Sequence, residues 1–113
     1  MRKLLTIAML MFSATAVAQT FAQLPNEVVV VQINAEWNDY NTRIDLEDLE
    51  ACDYRFGWLE EQPKKLQETI RAVPVVVIYV NGVPRYQYSA NLSFKLTASY
   101  EEIQNKIYEF WEE

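Results

Sequence analysis

Two continuous runs of mostly β-branched residues constrain the fold more than any other part of the chain. Residues 28–33 read VVVVQI and residues 75–80 read VVVIYV. Apolar runs of this length, without alternating polar residues, are typical of strands that a sheet buries on both faces. We therefore predict a buried strand at each run, with the first one in the centre of the sheet.

The second run leads directly into a predicted hairpin. Asn81-Gly82 follows it and is a preferred dipeptide for a two-residue type I′ turn, in which both residues take positive φ. Residues 83–88 then form the return strand. Pro84 has no backbone N–H to donate, so we expect this strand at the edge of the sheet, where the loss matters least.

Three elements are predicted between the apolar runs before the chain reaches Pro74. Residues 42–51, TRIDLEDLEA, place apolar side chains among acids and indicate a short helix with Thr42 as its N-cap. Residues 53–59, DYRFGWL, alternate aromatic and other residues as a strand does. A second helix is predicted to begin around Pro63 and to end before Pro74.

The last helix has the clearest pattern. Ser99-x-x-Glu102 is a capping box, and four apolar residues follow it on one helical face: Ile103, Ile107, Phe110 and Trp111. The order of elements is therefore βαβαββα. A right-handed βαβ unit followed by a hairpin and a helix predicts an α/β domain with a four-stranded mixed sheet in the order 2-1-3-4, flanked by helices on both faces.

The N-terminus has the pattern of a secretory signal peptide. Arg2 and Lys3 precede the apolar stretch LLTIAMLMF, and Ala16-x-Ala18 supplies a cleavage site. The apolar stretch is too short to span a bilayer, which takes about 20 residues. We predict a signal peptide over residues 1–18, with cleavage as late as residue 22, followed by one domain over 24–113. The mature protein is expected to be exported, periplasmic or extracellular, without membrane insertion.

The charge and the residue types exclude several classes of function. The chain has 10 basic and 16 acidic residues and no histidine. Nucleic-acid binding depends on Lys and Arg that neutralise phosphates. A chain with this excess of acidic residues is therefore not expected to bind nucleic acid. Histidine is the commonest zinc ligand and general base, and the acids at 45–53 lack the spacing of an EF-hand loop. No metal and no cofactor are expected.

Several segments together resemble the thioredoxin-like superfamily over nearly all of residues 28–113. They are the strand and exit VVVVQINAEW, the loop AEWNDYN at 35–41, and the stretch WLEEQPKKLQETIRAVPVVVIYVNG, in which Val73-Pro74 occupies the position of the family's cis-proline. The chain is similar to small exported or virus-encoded members. The resemblance implies the thioredoxin fold, with a first helix shortened between Asn41 and Tyr54 and no room for the family's extra N-terminal strand and helix.

The family's catalytic groups are replaced as a set. Asn38 and Asn41 occupy the two positions of the C-x-x-C motif, and Gln32 occupies the position of the family's buried acid. Thiol–disulfide exchange needs an attacking thiolate and a resolving thiol, and an amide supplies neither. Dithiol oxidoreductase activity through this site is therefore excluded by chemistry, and the protein is not expected to be an enzyme.

The resemblance leaves a binding function open. In the family, the loop after the first strand and the cis-proline form a groove that holds an extended peptide by strand-like hydrogen bonds. Here that groove would be built by Trp37, Asp39, Tyr40, Val73 and Pro74, beside Asn38 and Asn41. We predict a module that binds an extended peptide or a protein partner.

Two other functions remain as alternatives. Cys52 is the only cysteine, and one alternative is a single redox or mixed-disulfide thiol. The pattern favours instead a small buried residue that packs the helix on the sheet. The chain could instead be a small structural component of a virion or envelope assembly.

Overall fold

The computed structural model describes residues 27–112. Its strands are β1 (Val28–Asn34), β2 (Asp53–Trp58), β3 (Val75–Val80) and β4 (Val83–Ser89), and its α-helices are α1 (Lys64–Thr69) and α2 (Tyr100–Trp111). Three 3₁₀ helices lie at Glu36–Asn41, Ile44–Asp48 and Leu59–Glu61. The predicted signal peptide, residues 1–18 with cleavage as late as 22, lies outside the described residues.

The strands form one mixed sheet in the order β2-β1-β3-β4, which confirms the predicted topology. β1 is central and pairs in parallel with β2 and antiparallel with β3, while β4 completes the sheet beside β3. Asn81 and Gly82 have φ values of 54° and 83°, so the β3–β4 turn has the two positive angles that the dipeptide predicts. Pro84 lies on the edge strand, also as predicted.

The hydrophobic core lies between one face of this sheet and α2. Alternate residues of β1 and β3 supply the sheet side, including Val28, Val30 and Ile78, and Ile103 and Ile107 of α2 face them, both fully buried. Burying such a side chain stabilises the fold by about 1.5–3 kcal/mol. Ser99 Oγ accepts a hydrogen bond from the backbone N–H of Glu102 at 3.0 Å, so the predicted N-cap begins this helix.

The other face of the sheet is less covered than the sequence predicts. Val29 and Val31 are half-buried, and so are Val77 and Tyr79 beside them, so the prediction of burial on both faces is wrong for this end of β1. α1 adds little cover to the sheet, because it has six residues and none of them is buried. Helical cover within residues 27–112 is therefore unequal on the two faces.

The predicted helix over 42–51 with Thr42 as N-cap is wrong. The chain between β1 and β2 forms two 3₁₀ helices instead, and Thr42 follows the first of them. Leu46 and Leu49 are three residues apart and both reach the core, whereas Ile44 is exposed. Three residues per turn places positions i and i+3 on the same side, so the spacing of these leucines suits a 3₁₀ helix.

Candidate functional site

The loop that leaves β1 repeats a three-residue pattern, acid–aromatic–Asn, in Glu36–Asn41. Two short 3₁₀ turns meet in this segment at a kink, because Asn38 has non-helical angles (φ −112°, ψ 22°). Residues three positions apart still share their exposure: the acids and the aromatic residues are exposed, whereas Asn38 is buried and Asn41 is half-buried. This gives an acidic ridge (Glu36 and Asp39), an aromatic ridge (Trp37 and Tyr40) and an amide ridge (Asn38 and Asn41). The period of three is the sequence signal for this arrangement, and a helix predicted from Thr42 onward overlooks it.

The amide ridge faces the protein interior. Asn38 is only 1% exposed. Its Nδ2 lies 3.0 Å from Asn34 Oδ1, 3.2 Å from the Val73 carbonyl oxygen and 3.1 Å from the Phe94 carbonyl oxygen. Its Oδ1 accepts a hydrogen bond from Asn41 Nδ2 at 2.8 Å. One side chain thus joins β1, the 3₁₀ helix, the residue before Pro74 and the segment before α2.

Asn34 completes this amide network, by which we mean the bonded side chains of Asn34, Asn38 and Asn41. Asn34 is fully buried at the end of β1, and its Nδ2 donates to the Asn38 carbonyl at 2.9 Å and to Thr42 Oγ1 at 2.8 Å. Buried amide groups are costly unless they are paired, and both amides here have partners. The network therefore fixes the loop in one conformation.

The residues predicted to line a groove divide into two groups. Trp37 is 60% and Tyr40 is 83% exposed, and Asp39 is exposed beside them. Val73 and Pro74 are buried, and their peptide bond is cis. The Val73 carbonyl already accepts from Asn38 Nδ2. The structure thus brings the loop and the Val73-Pro74 position together, but only the loop's share of the predicted groove, Trp37, Asp39 and Tyr40, is open to a partner.

A segment that sequence reasoning did not assign to the site, residues 91–98, packs against the loop. The rings of Trp37 and Phe94 meet edge to face, with centroids 5.0 Å apart, and Phe94 is itself 41% exposed. Phe94 has a φ of 59°, which is uncommon for a bulky residue and persists only where surrounding contacts enforce it. Asn91 supplies such contacts, because its carbonyl accepts from Phe94 N–H and its Oδ1 accepts from Lys95 N–H.

Arg43 holds the other end of this segment. Its Nη1 donates to the Ala98 carbonyl at 2.6 Å and to the Leu96 carbonyl at 3.3 Å, while its Nε and Nη2 bind the two carboxylate oxygens of Asp45. The hydrogen bond from Arg43 lowers the pKa of Asp45, and the same bond raises the pKa of Arg43. This fork of donors positions residues 91–98 beside the loop.

Gln32 is fully buried and has three hydrogen bonds. Its Nε2 donates to the Arg43 carbonyl at 3.1 Å and to Tyr54 Oη at 2.7 Å, and its Oε1 accepts from the Arg43 N–H at 2.9 Å. Burial raises the pKa of Tyr54, so the phenol stays protonated at neutral pH. No group in this triplet exchanges a proton near pH 7. Gln32 therefore connects β1 to the backbone of Arg43 and to the Tyr54 side chain of β2.

Cys52 lies at the far end of the same connection, half-buried against the core. The turn before it is fastened to α2, since Trp111 Nε1 donates to the Ala51 carbonyl at 2.7 Å and the Gln104 amide pairs with the backbone of Glu50. Burial, with a smaller effect from the charge of Asp53, raises the pKa of the Cys52 thiol to about 12. The thiol is therefore protonated at neutral pH, and a protonated thiol is a poor nucleophile.

Cys52 is accordingly expected to resist alkylation in the folded protein. At pH 8, iodoacetamide should label it at least about a hundredfold more slowly than in 6 M guanidinium, because an unperturbed thiol has a pKa near 8.5. Labelling as fast as that of the unfolded chain would contradict the protonated state of the folded thiol.

The raised pKa also predicts a pH effect on the free energy of unfolding. The contribution of the protonated Cys52 thiol is complete below the pKa of the unfolded thiol and is lost as the pH rises toward 12.

Two further properties concern ions and membranes. Within residues 27–112, no three or more Asp, Glu or Cys side chains are grouped to hold a metal ion. No helix among the described residues is both long enough and apolar enough to cross a bilayer.

Comparison with models of known protein families gave no match, and comparison with curated proteins gave none either. What the chain does must therefore be inferred from the geometry of the site itself.

Proposed function

We propose that this chain is an exported protein with the thioredoxin fold and without dithiol redox activity, which binds a peptide or protein segment through the loop at Glu36–Asn41. The sheet order, the cis bond at Val73-Pro74 and the family-like segments of the sequence support the assignment of the fold. The Asn residues at both positions of the redox motif support the absence of dithiol chemistry.

The exposure of the aromatic ridge carries the binding proposal. Trp37 and Tyr40 are mostly exposed, although large aromatic side chains are normally buried in a small domain. Phe94 extends the same surface through its contact with Trp37. We name these three residues the aromatic surface. Trp and Tyr are enriched among the residues that contribute most to protein–protein binding, and a contiguous exposed apolar patch is typical of interaction sites.

The amide network supports the proposal because it holds the loop that carries the aromatic surface. It holds the backbone of the loop in place while the ridge on the other side remains open to solvent. A side chain presented on a fixed backbone loses less conformational entropy when a partner binds. In this arrangement, the Asn residues at the redox positions have a structural use, which is to hold the surface that binds.

Affinity selection with a random peptide library, followed by anisotropy titration of the enriched peptides, tests this function. Trp37→Ala and Tyr40→Ala should each weaken binding by at least about tenfold, because each removes an aromatic anchor worth more than about 1.4 kcal/mol. Both side chains are largely exposed, so the midpoint of urea unfolding should change little.

Val83→Ala is the matched control, since Val83 is another exposed apolar residue, on the hairpin at the opposite end of β3. It should leave the captured peptides and their affinities unchanged. If the Trp37 and Tyr40 variants capture the same peptides as the wild-type protein with equal affinity, the proposed function is wrong.

A further inference from the structure

Exposed carboxylates border the aromatic surface. Glu36 and Asp39 form the acidic ridge, and each directly precedes an aromatic residue along the 3₁₀ helix. Both acids are exposed, and so are the aromatic residues that follow them in the chain, so the two ridges lie beside each other on the surface. Glu60 adds a third carboxylate, whose two oxygens both lie 3.1 Å from the Glu36 backbone nitrogen.

These three carboxylates have no basic partner among the described residues. The ion pairs described there join Arg43 to Asp45 and Lys106 to Glu109. The loop at Glu36–Asn41 has no Lys or Arg, and Lys95 is the single basic residue in the segment 91–98. The surface around Trp37 and Tyr40 therefore carries an excess of negative charge.

We infer that the segment bound at the aromatic surface carries an apolar anchor residue flanked by Lys or Arg. This inference rests on the proposed function and adds the chemistry of the partner. The anchor residue would pack on Trp37 and Tyr40, and the neighbouring cation would meet the carboxylates of Glu36 and Asp39. Arg suits both ridges, because its guanidinium stacks on aromatic rings and binds carboxylates with two parallel hydrogen bonds.

The charge of the whole chain acts in the same direction. The full chain has a formal charge of −6. Charge of one sign accelerates the approach of an oppositely charged partner and opposes a partner of the same sign. An acidic segment and an anionic membrane surface are both disfavoured on this ground, so a cationic peptide is the occupant that the surface fits best.

The test combines peptide display with a pair of charge-neutral variants. A random library is selected on the immobilised protein and depleted on the Trp37→Ser/Tyr40→Ser variant, so that only peptides bound at the aromatic surface remain. The remaining peptides should be enriched in Lys or Arg within three residues of an apolar residue. Their synthetic counterparts are then titrated against Glu36→Gln/Asp39→Asn and against Glu68→Gln/Glu112→Gln, a control with the same charge change at other exposed positions.

The acidic-ridge variant should weaken binding roughly fivefold, since it removes two exposed charge pairs, each of which contributes modestly. The control variant should bind like the wild-type protein, and sodium chloride should weaken wild-type binding through screening. Enrichment of neutral or acidic peptides, or equal affinity of the two double variants, would overturn the inference and leave the proposed function intact. The absence of any peptide that depends on Trp37 and Tyr40 would refute both.

Discussion

Asn38→Ala is expected to lower the free energy of unfolding by about 3 kcal/mol, a large fraction of the stability of a small domain. The substitution removes the central side chain of the amide network and leaves the Asn34 Oδ1 and the Val73 carbonyl, both buried, without this donor. Each unsatisfied buried group costs about 1–3 kcal/mol. Urea unfolding followed by tryptophan fluorescence measures the change.

Asn41→Ala is the matched control for Asn38→Ala. Asn41 is half-buried and donates one hydrogen bond, to Asn38 Oδ1, so its loss should cost only about 1 kcal/mol. If both variants unfold at the same urea concentration, the central place of Asn38 in the network is wrong.

Asn38→Asp keeps the shape of the side chain and tests the same contacts through pH. The new carboxylate oxygen would face three oxygen acceptors, those of Asn34, Val73 and Phe94. Burial and repulsion should raise the pKa of this carboxyl above its unfolded value. Relative to the wild type, the variant should therefore be most stable at acid pH and lose stability as the pH rises through the folded-state pKa.

The second large effect is expected for Gln32→Glu, which introduces an acid at this buried position. The residue is fully buried, and one carboxylate oxygen would face the Arg43 carbonyl to which Gln32 Nε2 now donates. We expect a loss of about 2–4 kcal/mol at pH 7, because a buried charge is left partly unpaired. The pKa of the new carboxyl should be raised, so the variant should gain stability relative to the wild type as the pH falls.

Asp45→Asn supplies the comparison for Gln32→Glu, because it also changes one charge beside Arg43 but at a partly exposed ion pair. Such pairs contribute about 0–1 kcal/mol, so its effect should be small. Equal stability of Gln32→Glu and the wild type from pH 4 to pH 8 would show that a solvated or compensated acid is tolerated at this position. That result would contradict the role given to the buried hydrogen bonds of Gln32.

The substitutions at Asn38 and Gln32 also separate effects on stability from effects on binding. Asn38 and Gln32 are buried and contribute no exposed surface, whereas Trp37 and Tyr40 are exposed and contribute little to the core. Damage to the amide network should weaken binding only indirectly, by loosening the loop that presents the aromatic surface. Damage to the aromatic ridge should weaken binding while leaving urea unfolding nearly unchanged.

Part of the fold follows from local patterns in the sequence. The runs VVVVQI and VVVIYV predict β1 and β3, Asn81-Gly82 predicts the turn, and Ser99 with the apolar period behind it predicts α2. Each of these signals is contained in a few neighbouring residues, whose hydrophobic period or required dihedral angles indicate the local structure directly. They also suffice, through the handedness of βαβ units, to predict the strand order.

The connection from β1 to β2 shows where local patterns are insufficient. Its acids and leucines are compatible with an α-helix beginning at Thr42, yet two 3₁₀ helices form. The competing interactions are tertiary, because Asn38 bonds to Val73 and to Phe94, 56 residues further along the chain. The period of three in Glu36–Asn41 is compatible with the tighter turns, but the distant partners that select them are not visible in any short window of sequence.

The sequence by itself determined the four strands and their order, the two α-helices and the absence of cysteine at positions 38 and 41, but not the 3₁₀ helices between β1 and β2. Only the tertiary structure decided that Asn38 is buried, that Val73 and Pro74 are closed to solvent, and that Trp37 and Tyr40 remain open. Periodicity can place like residues on one side of a helix. Which side is buried depends on distant backbone groups that satisfy a buried amide, and these meet it only when the chain has folded.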